Sequence, residues 1–206
     1  DMMDRFRRWM YEGEYTPGGN VFDFGAATKR AIDRFVGGAP PLECGGNGEM
    51  DNGNGSLMRI LPILFYMVLE YGSDPTEWGS AFEVIHNVSA LTHAHPRSLI
   101  ACGIYISVAS MLMQGFDIDM SVDLGVYEAV AHYRRSPGFS SQLKSFARLE
   151  DKNFKSIGQG EIASGGYVVD TLEAALWCLL NTGSFSECVL KAVNLGGDSD
   201  TTASVA

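Results

Sequence analysis

Asp198 and Asp200, with Thr201 directly after them, stand in the segment Gly196-Gly197-Asp198-Ser199-Asp200-Thr201-Thr202. Two carboxylates one residue apart beside a hydroxyl offer closely spaced hard oxygen donors, the kind that Mg²⁺ and Mn²⁺ prefer. A helix starting here would add free amides that tolerate anionic groups. Alternatively, one aspartate or Ser199 caps that helix and the threonines fill its first turn. Two neighbouring carboxylates cannot complete an octahedral shell, so further ligands must come from elsewhere.

The same segment fits D-x-D-x-T, the nucleophile motif of haloacid-dehalogenase-like phosphatases. That motif follows a buried strand in an α/β fold, whereas a helical, cysteine-containing run precedes it here. A calcium loop fits less well, because the required later glycine and glutamate are missing.

Three other segments carry candidate chemistry. Asp51-Asn52-Gly53-Asn54-Gly55-Ser56-Leu57-Met58-Arg59 sets Asn54 between two glycines that permit unusual backbone angles. Asp51 can accept from sugar hydroxyls, and Asn54 can both donate and accept; a purely structural turn is the competing reading. Met58 serves either the core or the face of a flat ligand. In Thr92-His93-Ala94-His95-Pro96, His93 could contact a phosphate or ribose or close a helix, while His86 reads as structural. A zinc site would need a third ligand that no nearby motif nominates. In Gly158-Gln159-Gly160-Glu161 through Ser164-Gly165-Gly166-Tyr167-Val168-Val169-Asp170-Thr171-Leu172, glycine amides could approach a nucleotide. Tyr167 could offer its ring or its hydroxyl.

The elements that must hold these residues read as helices. Phe6, Trp9 and Met10 share a helical face, and a second helix is expected from near Asp23 to Phe35, burying Ala27, Ala31 and Phe35. Further helices are expected at 56–71, 75–92, 96–114, 121–135, 140–149, 168–181 and 184–195. Pro62 falls near the first turn of its helix or kinks it, and Pro75, Pro96 and Pro137 fall near helix boundaries, where a missing amide costs little. Asp198 or Asp200 would cap one more. No run alternates like a strand, so the expected fold is all-α, in one domain over 1–206. Glycine-rich connections at 38–56 and 158–166 are the natural places for a binding site.

Composition narrows the function classes. The 206 residues are 46% hydrophobic and carry a formal net charge of -10. No Lys/Arg stripe could replace phosphate counterions, so nucleic acid is not an expected partner. Polar and glycine interruptions break the longest apolar runs, so no membrane span is expected. Cys44, Cys102, Cys178 and Cys188 form no C-x-x-C pair and are expected as buried free thiols in a reducing cytoplasm.

Taken together and in order, the four segments resemble the ADP-ribosylglycohydrolase family, which includes dinitrogenase-reductase-activating glycohydrolases. The resemblance rests on Gly53-Asn54-Gly55-Ser56-Leu57-Met58-Arg59, Thr92-His93-Ala94-His95-Pro96, Tyr167-Val168-Val169-Asp170-Thr171-Leu172 and Leu195-Gly196-Gly197-Asp198-Ser199-Asp200-Thr201-Thr202. It implies a compact all-helical domain of orthogonal helices that removes ADP-ribose from modified groups at a site holding two Mg²⁺ or Mn²⁺ ions. Asp198, Asp200 and Thr201 match the late metal ligands. Asp51 and Asn54 match the substrate loop, His93 a position near bound ADP-ribose, and Tyr167 the ribose or adenine region. The implied partner is an ADP-ribosylated protein or small ADP-ribosyl compound, with arginine linkage the default. The family's early Gly-Asp-Ala-Leu-Gly-like and Thr-Asp-Asp-Thr-like segments do not occur here. The sequence is therefore expected to be incomplete at both ends, with the general base outside it. A catalytically inactive, crystallin-like relative is the alternative.

Overall fold

The structure is a computed structural model that describes residues 2–74 and 77–206. Among the described residues there is no strand, only isolated bridges pairing Gly46 with His93 and Gly53 with Tyr167. The helices are α1 (Met2–Glu12), α2 (Ala26–Val36), α3 (Ile63–Tyr71), α4 (Phe82–Ala90) and α5 (Pro96–Met113). They continue with α6 (Ile118–Arg134), α7 (Pro137–Ser140), α8 (Val168–Leu180), α9 (Phe185–Asn194) and α10 (Ser199–Val205). The all-helical expectation is met.

α5 is the axis of the molecule. Pro96 fills its first position, and His95 caps it by accepting from the Arg97 amide at 3.2 Å. α4, α6 and α8 pack round it, so its apolar surface does not form a single stripe. By length and composition these 18 residues could cross a membrane, contrary to the expectation that such runs are interrupted; 61% of the helix is buried in this fold. α6 lies closest to it. A Cβ on Gly125 would sit 2.5 Å from the Val108 Cα, so only glycine admits that approach.

α8 buries most of its length, including Val168, Leu172, Ala175 and Leu176, which recur at helical spacing. A smaller apolar cluster joins α1 and α2: Met3, Ala31, Ile32, Cys44 and Leu91, with Phe6, Trp9, Met10 and Phe35 against it. All four cysteines are buried and free. His86 is structural, its Nε2 lying 2.9 Å from the Tyr133 hydroxyl among aromatic rings. Burial pushes its imidazole down to about 4.

Several boundaries differ from those expected. Residues 56–59 form a 3₁₀ turn over Leu57–Arg59, and α3 starts only after Pro62, whose ring would clash with a preceding helical turn. α4 begins at Phe82; the Pro75 part of the expected 75–92 helix lies outside the described residues. The stretch expected as a helix at 140–149 is instead a 3₁₀ run, Leu143–Glu150. Leu143, Phe146 and Leu149 are its buried residues, every third one, and the three-residue 3₁₀ turn brings them onto one face. α2 starts at Ala26 rather than near Asp23, a shift that matters at the site.

Candidate functional site

Two glycines aim Asp198. Gly196 and Gly197 both take positive φ, at 77° and 64°, where a side chain would be strained. A Cβ on Gly197 would also lie 2.4 Å from the Ser164 carbonyl oxygen. That close approach lets the Asp198 amide donate to the same carbonyl at 2.8 Å. α10 then begins at Ser199, so Asp200 lies in its first turn, where a carboxylate is favoured by the helix dipole. Neither Asp198 nor Ser199 provides the side-chain cap considered above; Asp198 occupies the cap position without such a bond.

The glycine loop meets this turn through Asn54. Its side-chain nitrogen donates to Asp198 Oδ2 at 2.8 Å and to Thr171 Oγ1 at 2.9 Å. Both amide protons are thereby used, and only the oxygen remains to accept. Thr171 lies 3.1 Å from the Gly165 carbonyl and 3.2 Å from that of Tyr167. Burial pushes the Asp198 carboxyl up, but hydrogen bonds from Asn54 and Thr201 outweigh it and hold Asp198 below the usual carboxylate range.

On the other side of the loop lies His93, only 3% exposed. Its Nδ1 is 2.7 Å from the Thr92 hydroxyl, and Nε2 has no partner among the described residues. Burial, aided by the Arg59 charge, lowers its imidazole to about 4 and keeps the ring neutral. Arg59 donates to the Gly55 and Val88 carbonyls at 3.1 and 3.0 Å and lies 5.2 Å from the Phe6 ring centre. It forms no ion pair among the described residues, and its Nε is shielded without an acceptor.

These groups line one open cavity of about 890 Å³. Asn54, His93, Asp198, Asp200 and Thr201 all reach it, so five of the seven expected site residues are brought together. Asp51 and Tyr167 do not line it. Asp51 instead pairs with Arg30 at 3.0 Å and accepts from the Gly48 amide at 3.2 Å, shaping the loop from outside. The backbone of Tyr167 bridges Gly53, and Arg97 lies 5.9 Å from its ring centre.

Two parts of the wall were missed in the sequence. Phe6 and Trp9 of α1, with Phe24, form an aromatic side of the cavity, and Gly25 through Thr28 contribute the start of α2. A glycine before Ala-Ala-Thr, leaving a helix start without a capping side chain, was the available signal.

As a cation site, the α10 turn fits in part. Two carboxylates and a hydroxyl are suitable hard donors, and Asp198 is held ionised. Among the described residues, no group of three His, Cys, Asp or Glu side chains gathers to hold a metal. Other oxygens must complete any shell.

Comparison with known proteins finds relatives across nearly the whole chain. The chain is 28% identical over 200 residues to the ADP-ribosylarginine hydrolase Tri1 of Pseudomonas putida (strain GB-1), covering 97% of this chain and 48% of that protein. The Tri1 of Serratia proteamaculans (strain 568) is 27% identical over 97% of this chain and 49% of its own length. The ADP-ribosyl-dinitrogen reductase glycohydrolase of Rhodospirillum rubrum is 26% identical, covering 100% of this chain and 58% of that protein. The chain thus spans about half the length of the curated relatives it matches. A solved structure titled ADP-ribosylglycohydrolase-related protein complex superposes with a TM-score of 0.64 at 26% identity, over 98% of this chain and 59% of that one. The sequence pattern of ADP-ribosylglycohydrolases matches residues 1–206 throughout, and the chain belongs to that family.

Proposed function

We propose that the protein is a metal-dependent hydrolase that releases ADP-ribose from modified protein side chains, with arginine-linked ADP-ribose as its substrate. One observation carries this reading: a carboxylate pair, a buried neutral histidine and an aromatic wall share a single cavity large enough for a nucleotide-sized ligand. Relatives named as ADP-ribosylarginine hydrolases support the arginine linkage.

Asp198, Asp200 and Thr201 would hold part of the shell of two Mg²⁺ or Mn²⁺ ions, with water, substrate oxygens or other protein groups supplying the rest. Such ions would supply Lewis acidity and orient ribose hydroxyls and water for attack at the anomeric carbon. Asn54, committed through its nitrogen, fixes the orientation of Asp198, as partners of metal ligands commonly do. The carboxylates also favour the positive character that develops on the ribose as the glycosidic bond breaks. His93 offers Nε2 to the ligand, and the apolar rings of Phe6 and Trp9 restrict water on that side.

The test is release of free ADP-ribose from an arginine-ADP-ribosylated protein, followed with Mg²⁺, with Mn²⁺ and with chelator. Metal-dependent release is expected. ADP-ribose binding measured by calorimetry without any release from arginine-, serine- or acetyl-linked substrates would reduce the protein to a binding relative.

A further inference from the structure

Between α1 and α2 the chain borders the open cavity, and residues 13–25 fall into two parts. Residues 13–19 are pinned. Gly13 and Gly19 both take positive φ, at 67° and 69°, and a Cβ on Gly13 would collide with the Gly19 carbonyl. Thr16 closes the turn, its amide and hydroxyl donating to the Gly13 carbonyl at 3.2 and 2.6 Å. Residues 20–24 are open. They belong to no helix or bridge, and among the described residues their main-chain amides and carbonyls form no hydrogen bond. Such a row of unpaired donors and acceptors is what the edge of a sheet offers to another chain.

Side chains on this open stretch divide as well. Asp23 and Phe24 line the cavity, and Asp23 has no ion pair among the described residues. Phe22 does not line it and is 98% exposed, the most of any large apolar residue described. A ring turned away from the cavity touches no ligand held inside it, and closing the stretch over that ligand would not cover the ring. Phe22 is placed to meet whatever the ligand is attached to.

We propose that residues 20–24 are a docking edge for the polypeptide that carries the modified side chain, with Phe22 as its apolar anchor. Only the name of what that polypeptide carries rests on the hydrolase reading. Its docking segment is extended: successive unpaired peptide units match main chain rather than a small molecule, and Phe22 supplies the side-chain contact that gives such pairing its preference. Charge agrees with this occupant. A guanidinium that bears ADP-ribose stays cationic, and the unpaired Asp23 carboxylate stands next to Phe22 on the cavity side.

Phe22→Ser separates docking from both folding and chemistry. The ring touches almost nothing in the fold, so the melting temperature should not change. Release of ADP-ribose is followed on an arginine-ADP-ribosylated protein and on free ADP-ribosylarginine. In Phe22→Ser, KM for the modified protein should rise about tenfold with kcat unchanged, while both constants for ADP-ribosylarginine stay at wild-type values. Phe22→Leu keeps an apolar side chain and should restore most of the loss.

If nothing is turned over, the hydrolase reading falls, and fluorescence anisotropy with an arginine-ADP-ribosylated peptide and with ADP-ribose tests the edge by itself. Peptide affinity about tenfold lower in Phe22→Ser, with ADP-ribose affinity unchanged, supports it. Equal constants for wild type and folded Phe22→Ser on the modified protein overturn the edge and leave the hydrolase reading intact. Equal weakening of the protein and of the small ligands also overturns it, because the stretch would then act on the ligand itself. A wild type that binds the modified peptide no more tightly than ADP-ribose has the same consequence.

Discussion

The two glycine-rich connections look alike in composition but are used differently. Gly53 and Gly55 line the cavity and bring backbone close to His93. Residues 158–166 line none of it, yet their carbonyls hold the residues that do. Ser164 accepts from the Asp198 amide and Gly166 from the Asn54 amide, while Gly165 accepts from the hydroxyl of Thr171, which does not line the cavity but itself accepts from Asn54. One loop contacts the ligand space; the other is the bracket behind it. Glycine content alone does not distinguish contact from support, because both roles require close backbone approach.

Mutation can test that division. The largest effect is expected at the ligand face itself: Asp200→Ala should reduce metal affinity and turnover by about 100-fold or more, beyond the loss typical of an outer partner. Unchanged metal affinity in calorimetry would remove Asp200 from the ligand set. Next comes the point where the bracket meets the aspartate turn. Gly197→Ala combines a positive φ with a contact of 2.4 Å to a backbone oxygen, and should cost about 3 kcal/mol in denaturant unfolding.

A pH series supplies a comparison away from both loops. His86 titrates near 4 in the fold and near 6.5 when unfolded, so the unfolded chain takes up its proton first as pH falls. The resulting stability is fully present above 6.5 and is lost progressively down to about 4, by about 3 kcal/mol. His86→Gln should flatten this slope without changing any difference between the loops. Glu173 slopes the opposite way. Burial outweighs its 3.2 Å pairing with Arg148 and raises its carboxyl to about 7, so stability present below 4.5 is lost as pH rises through 7. Glu173→Gln should remove that loss.

Smaller effects should grade the bracket. Thr171→Val leaves Asn54 without one acceptor and should cost about 1–2 kcal/mol, together with a fall in metal affinity. Gly165→Ala meets open space at an ordinary φ and should stay within about 0.5 kcal/mol. A large loss there would mean that the bracket depends on flexibility rather than on its carbonyls.

Much of this arrangement was legible in the sequence, for identifiable reasons. α5 and α8 are long apolar runs whose starts are marked by Pro96 and by the glycines before Tyr167. Asp198, Asp200 and Thr201 are neighbours in the chain, so their chemistry needs no folding to be visible. The 3₁₀ run at 143–150 was not legible, since residues three apart share a face in both helix types. The loop sequence marks Asp51 as a candidate acceptor for sugar hydroxyls, whereas its pairing with Arg30 comes from tertiary packing and shows only in the fold. Thr28 stands out in no motif, because a histidine 65 positions away meets it across Gly55 only in the folded chain.

The four buried thiols give the molecule its own clocks. Cys44 belongs to the α1–α2 cluster, whereas Cys102, Cys178 and Cys188 sit in the main core. Alkylating reagents can reach each sulfur only when its surroundings open, so labelling rates report local excursions from the native state. If Cys44 reacts well ahead of the other three, the aromatic wall detaches while the central helices remain packed. Equal rates would mean that the wall and the axis open as one unit.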